Sequence, residues 1–106
     1  MIASTRELLE TARRNAYAIG AFNVYNLEGV KAVITAAEIN QSPAMLQLHP
    51  SALKYGESML VAMCLEAARS ATVPISVHLD HSTSEGDIQT VLSVVLATAG
   101  KLLTDN

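Results

Sequence analysis

The sequence is poor in several features that would mark a specialised environment or partner. It has one cysteine, Cys64, so no disulfide can form within the chain and a reducing compartment suits it. Lys and Arg together number 7, they do not cluster, and the formal charge is −3, which removes the basic footprint of a nucleic-acid or anionic-membrane binder. No apolar run approaches the roughly 18 residues of a membrane span. Arg6 and Glu7 put charge where a secretory signal needs an apolar segment. The expectation is a cytoplasmic protein with small molecules or other proteins as partners, and neither nucleic acid nor membrane among them. Also absent are a G-x-G-x-x-G or G-x-x-x-x-G-K-[ST] pattern and any low-complexity linker.

What the chain does have is material for a core. Half of its residues are apolar and 16% are charged, as in ordinary globular proteins. Its 106 residues suffice for one small domain and not for two.

Periodicity predicts alternating elements. Ser4 and Glu7 form a capping box ahead of Leu8, Leu9 and Ala12, a lead-in helix ending near Asn15. Tyr17 to Val24 reads as a short buried strand. Asn26 caps a second helix with Val30, Val33, Ile34 and Ala37 on its buried face, stopped by Ser42-Pro43. Ala44 to Leu48 is a second strand, broken into a loop by His49-Pro50-Ser51. A third helix carries Leu60, Met63, Cys64, Ala67 and Ala71 on one face, and Ile75 to Leu79 forms a third strand. A second capping box at Ser82 and Glu85 opens a fourth helix with Ile88, Val91, Leu92 and Val95, which Gly100 would terminate. Cys64 and the four methionines read as core filler and imply no cofactor.

A lead-in helix and three strand-then-helix units, each roughly thirty residues long, imply an α/β fold with a parallel sheet. An open doubly wound sheet and part of an eight-stranded barrel of about 250 residues both fit that alternation. The missing glycine-rich cradle favours the barrel.

The polar groups that could carry chemistry gather at the strand ends: Asn23, then His49 and Ser51, then His78-Leu79-Asp80-His81. In a barrel this is the catalytic face. Side-chain alternation puts His78 and Asp80 on one face of the strand, so the chain must turn near Asp80 for His81 to join them. Asp80 beside two imidazoles suits acid/base work; a solvated loop with a helix cap is the alternative. A catalytic zinc ordinarily takes three protein ligands, and the spacing here does not supply that set.

Two motifs together, Ala21-Phe22-Asn23-Val24 after the first helix and an apolar strand ending His78-Leu79-Asp80-His81, resemble the class II fructose-bisphosphate and tagatose-bisphosphate aldolases. The resemblance covers about Leu8 to Ser93, with 94–106 a divergent tail of the same domain. It implies a partial TIM (β/α)8 barrel and zinc-dependent, reversible aldol cleavage of fructose or tagatose bisphosphate to dihydroxyacetone phosphate and an aldehyde, in glycolysis or related carbohydrate metabolism. Carried over by residue, it makes His81 one of three zinc-binding histidines and Asp80 the acid/base at the C4 oxygen. Asn23 becomes a substrate contact, and His49 stands where the family more often has a small hydroxyl residue that meets substrate. The metal's task is Lewis-acid stabilisation of the enediolate left when the C3 to C4 bond breaks.

The implied partner is a phosphorylated ketose, and a homo-oligomer is compatible with the family. One zinc ligand and one acid/base do not complete a site, so negligible turnover is expected from these 106 residues alone. The alternative is a noncatalytic barrel fragment that acts by pairing its third strand with another chain.

Overall fold

In a computed structural model the backbone is described for residues 1–105 and the side chains for residues 1–97. Four helices and three strands alternate: α1 (Thr5–Arg14), β1 (Gly20–Asn23), α2 (Leu27–Ile39), β2 (Ala44–Leu48), α3 (Pro50–Ser70), β3 (Ile75–Leu79) and α4 (Glu85–Asp105). The strands form one parallel sheet in the order β1-β2-β3.

The sheet has two unlike faces because successive side chains alternate. Leu46, Leu48 and Ile75 are fully buried and share a core with Val30 of α2 and Leu60, Val61 and Cys64 of α3. Burying each of the larger aliphatic side chains is worth roughly 1.5–3 kcal/mol. On the opposite face α1 packs against β3, with Leu8 and Ala12 buried and Thr5 Oγ1 donating to Ser76 Oγ at 3.1 Å. The next row along that face toward the C-terminal strand ends is Asn23, Gln47 and His78, in register across the sheet.

Helix starts follow local chemistry. Ser4 caps α1 by accepting from the Glu7 N–H at 3.1 Å, and Asn26 caps α2 by accepting from the Gly29 N–H at 2.9 Å. At the far end of α2, Glu38 accepts from both the N–H and the hydroxyl of Thr72, at 2.8 and 2.9 Å, tying that helix to the turn before β3.

Several boundaries differ from the sequence expectation. All four residues of β1 are exposed: like β3 it is an outer strand, but helices pack on β2 and β3 and, among the described residues, not closely on β1. α2 ends at Ile39, before Ser42-Pro43: the Asn40 side chain donates back to Ala36 O at 2.7 Å and Gln41 adopts φ 49°. His49-Pro50-Ser51 is no loop; His49 is the N-cap of α3 and Pro50 its first residue, where a missing N–H costs nothing. α3 is kinked at Glu57, whose φ of 54° and ψ of −151° are non-helical.

At α4, Ser84 rather than Ser82 accepts the capping bond, from the Asp87 N–H at 3.4 Å. The helix runs through Gly100 to Asp105 instead of stopping there. On the stripe expected to be buried, Val91 packs against the core together with Val94, whereas Ile88, Leu92 and Val95 are exposed. The methionines divide in the same way: Met45 is buried and Met63 packs on the core, but Met1 and Met59 are exposed. Of the divergent stretch expected over 94–106, the side chains beyond residue 97 lie outside the described residues.

Candidate active site

The C-terminal ends of the three strands bring together residues far apart in sequence. Pairing holds the chain extended past each strand: the Val24 N–H donates to Gln47 O at 3.1 Å and the Asp80 N–H to Leu48 O at 2.9 Å. Asp80 is therefore fixed by the ladder, and the turn comes one residue later, at His81 with φ 56°. Histidine tolerates this left-handed conformation better than a β-branched residue would. The turn brings His81 Nε2 to 3.3 Å from Asp80 Oδ2. Asp80 is largely enclosed, with a side chain 27% exposed, whereas the His81 imidazole is 72% exposed.

His49 comes to the same place from β2. Its ring centroid lies 5.8 Å from that of His81, with the planes at 50°. Its Nδ1 accepts from the Ser51 N–H at 3.1 Å and contacts Ser51 Oγ at 2.8 Å. Ser51 Oγ in turn lies 3.2 Å from the Tyr25 hydroxyl, so a polar chain joins the end of β1 to the end of β2.

Of the residues singled out from sequence, Asp80, His81 and His49 converge here, and Asn23 lies in the register row below them. Two more belong to the neighbourhood. Gln47 sits between Asn23 and His78 in that row, and its signal in the sequence was one polar residue inside an apolar strand. His78, already part of the His78-Leu79-Asp80-His81 motif, has a buried Nδ1 without a hydrogen-bond partner among the described residues.

The fit of a zinc ion can be judged from these donors. Among the described residues no group of three or more His, Cys, Asp or Glu side chains is arranged to hold a metal ion. Cys64 is no candidate, since it is fully enclosed in the core and burial pushes its thiol up to about 12. The exposed His81 imidazole suits a single metal bond, but the described residues do not make a three-ligand centre.

A parallel strand-helix array with a carboxylate and imidazoles at its strand ends fits part of a β/α barrel. A family model described as fructose-bisphosphate aldolase class-II matches residues 3–99, and the chain belongs to that family. It is 43% identical over 84 residues to the fructose-bisphosphate aldolase of Thermus caldophilus, covering 79% of this chain and 28% of that protein. A Coccidioides immitis protein provisionally named a fructose-bisphosphate aldolase is 52% identical over 75 residues, covering 71% of this chain and 25% of its own length. The crystal structure of the YdjI aldolase from Escherichia coli K12 superposes with a TM-score of 0.83 at 32% identity, over 89% of this chain and 37% of that one. The α/β architecture is thus part of the barrel of these aldolases. The chain spans about a quarter of the two named sequence relatives.

Proposed function

We propose that this chain supplies the first strand-end residues of a class II aldolase that cleaves a ketose bisphosphate, fructose or tagatose bisphosphate, to dihydroxyacetone phosphate and an aldehyde. The observation that carries the reading is the convergence of Asp80, His81 and His49 at the strand ends, in a chain of the aldolase family. Asp80 takes the proton of the C4 hydroxyl as the C3 to C4 bond breaks, and returns it in the condensation direction. Its enclosed carboxylate, fixed by the ladder bond of its own backbone, suits a group that must meet one oxygen reproducibly. Asn23 and His49 serve as substrate contacts. His81 is the one metal-binding histidine this chain contributes, and zinc dependence rests on the family. A cytoplasmic place in carbohydrate metabolism and a homo-oligomeric enzyme belong to the same reading.

The test is a chimera in which residues 3–99 replace the matching segment of the Thermus caldophilus aldolase. It is expected to cleave fructose bisphosphate in a coupled assay. Asp80→Asn should cut turnover by roughly 10²–10⁴ while leaving bound zinc in place, and His81→Asn, which tolerates the left-handed turn, should lose both. A folded chimera with unchanged activity in the Asp80→Asn form overturns the assignment.

A second reading has its own support. The outer edge of β3 is already occupied at its start, where the Ile75 N–H donates to Met1 O at 2.8 Å and the Ala3 N–H to Ile75 O at 2.9 Å. Beyond Ile75 the outer edge of β3 has no strand partner among the described residues, and neither has that of β1, so association with another chain through the third strand, or through β1, fits the sheet.

A further inference from the structure

With Nδ1 engaged by Ser51, His49 could serve the site through Nε2 in two ways that exclude each other at that atom, as a metal ligand if Nε2 is bare or as a hydrogen-bond donor if it is protonated. The contacts on Nδ1 decide between them. A backbone N–H can only donate, so the 3.1 Å bond from the Ser51 N–H requires a lone pair on Nδ1. The neutral ring then carries its proton on Nε2. Ser51 Oγ, 2.8 Å from the same nitrogen, must also face it as a donor. Its remaining contact, the Tyr25 hydroxyl at 3.2 Å, then donates to Ser51 Oγ. Every hydrogen in the chain runs one way, from Tyr25 to Ser51 to His49, and Nε2–H is left over. Among the described residues it has no hydrogen-bond partner.

We propose that His49 is held as the Nε2–H tautomer and presents a hydrogen-bond donor beside His81, with Ser51 and Tyr25 as the positioning residues that fix it. The ligand it meets is an oxygen acceptor on the substrate, not the metal: Nδ1 is occupied and Nε2 has no lone pair to give. The substrate part of this inference rests on the aldolase reading, whereas the tautomer does not. Turning the imidazole over would break both contacts that Ser51 makes with Nδ1.

The experiment is a long-range proton–nitrogen correlation spectrum of the 106-residue chain labelled with nitrogen-15 in histidine, recorded near neutral pH with and without added zinc. His49 is expected to show a protonated Nε2 and a bare Nδ1, and to keep that pattern when zinc is added, while His81 shifts. Ser51→Ala, which deletes one of the two donors to Nδ1, should bring in a measurable Nδ1–H population. Ser51→Thr should restore the single tautomer, and Tyr25→Phe should have a smaller effect of the same sign. A protonated Nδ1 in the unaltered chain, or loss of the Nε2 proton to zinc, overturns the donor assignment. Spectra unchanged in both Ser51→Ala and Tyr25→Phe overturn the positioning role. Since no turnover is read, an inactive chimera with an intact Nε2–H signal would count against the aldolase reading and not against the tautomer.

Discussion

Asp80 and His81 are adjacent in sequence, yet their side chains meet only because backbone pairing stops at Asp80 and His81 takes a positive φ. This splits the predicted effects of substitution. Replacing Asp80 by Asn changes no backbone requirement, so in the chimera it should cost the hundredfold or more expected of a lost acid/base group, roughly 10²–10⁴, with the urea midpoint unchanged. Cys64 behaves oppositely, as a residue of stability alone. Its thiol is raised from 9.0 to about 12 by burial, so the folded chain keeps a proton that the unfolded chain releases. The contribution is complete below pH 9.0 and is lost as pH rises toward 12, at about 1.4 kcal/mol per pH unit. Urea titrations from pH 8 upward should therefore show a steeper decline for the unaltered chain than for Cys64→Ala; parallel slopes would refute it. In the folded chain the same thiol should resist alkylation at pH 8 and react only after urea is added.

The elements show a different balance, because α3 is bent by two neighbouring residues. Glu57 occupies a backbone region that is essentially reserved for glycine, at a cost of about 1–3 kcal/mol, and Gly56 before it lets the chain pass close to Leu60. A Cβ on residue 56 would lie 2.5 Å from the Leu60 Cβ. Glu57→Gly is therefore expected to stabilise the chain by about 1 kcal/mol, against the usual loss for glycine in a helix. Gly56→Ala should destabilise it by roughly 1–3 kcal/mol through overpacking. Urea midpoints in the same order for both substitutions would contradict this account.

The bend also shows what periodicity can and cannot carry. The spacing of Leu60, Cys64 and Ala67 marks a helical face, and the runs Ala44 to Leu48 and Ile75 to Leu79 give β2 and β3 at their observed bounds. No pattern in residues 50–57 distinguishes a capped, kinked helix start from a loop, since Pro50 serves both. Caps were legible where the residue was Ser4 or Asn26 and hidden where it was a histidine. At the site, Asp80 and His81 stood out as a motif, His49 and Ser51 as polar residues at a strand end, and Gln47 as one polar residue in an apolar strand, but the row Asn23-Gln47-His78 and the link from Tyr25 to Ser51 arise from strand register and packing, which one sequence does not contain.

At the scale of the whole molecule, the sheet is covered well on the helix side of β2 and β3 and poorly at β1. Parallel sheets are ordinarily buried on both faces, and their edges are sites of pairing. Here Phe22 on β1 is 49% exposed beside a groove of about 420 Å³ lined by Gly20, Ala36 and Pro43. Ile88, Leu92 and Leu96 of α4 add a second apolar stripe open to solvent. These surfaces lie in a chain that spans about a quarter of its named relatives and lacks a three-ligand metal cluster among its described residues. The 106 residues alone should thus associate before they catalyse. Sedimentation over a hundredfold concentration range should show mass rising with concentration, and Phe22→Lys, which puts a charge on the open edge, should shift that rise to higher concentration. The same preparations with zinc and fructose bisphosphate should give no turnover at any concentration. A monomer throughout, or chelator-sensitive turnover from the 106 residues, would show that the β1 edge is closed in solution or that the site is complete without further residues.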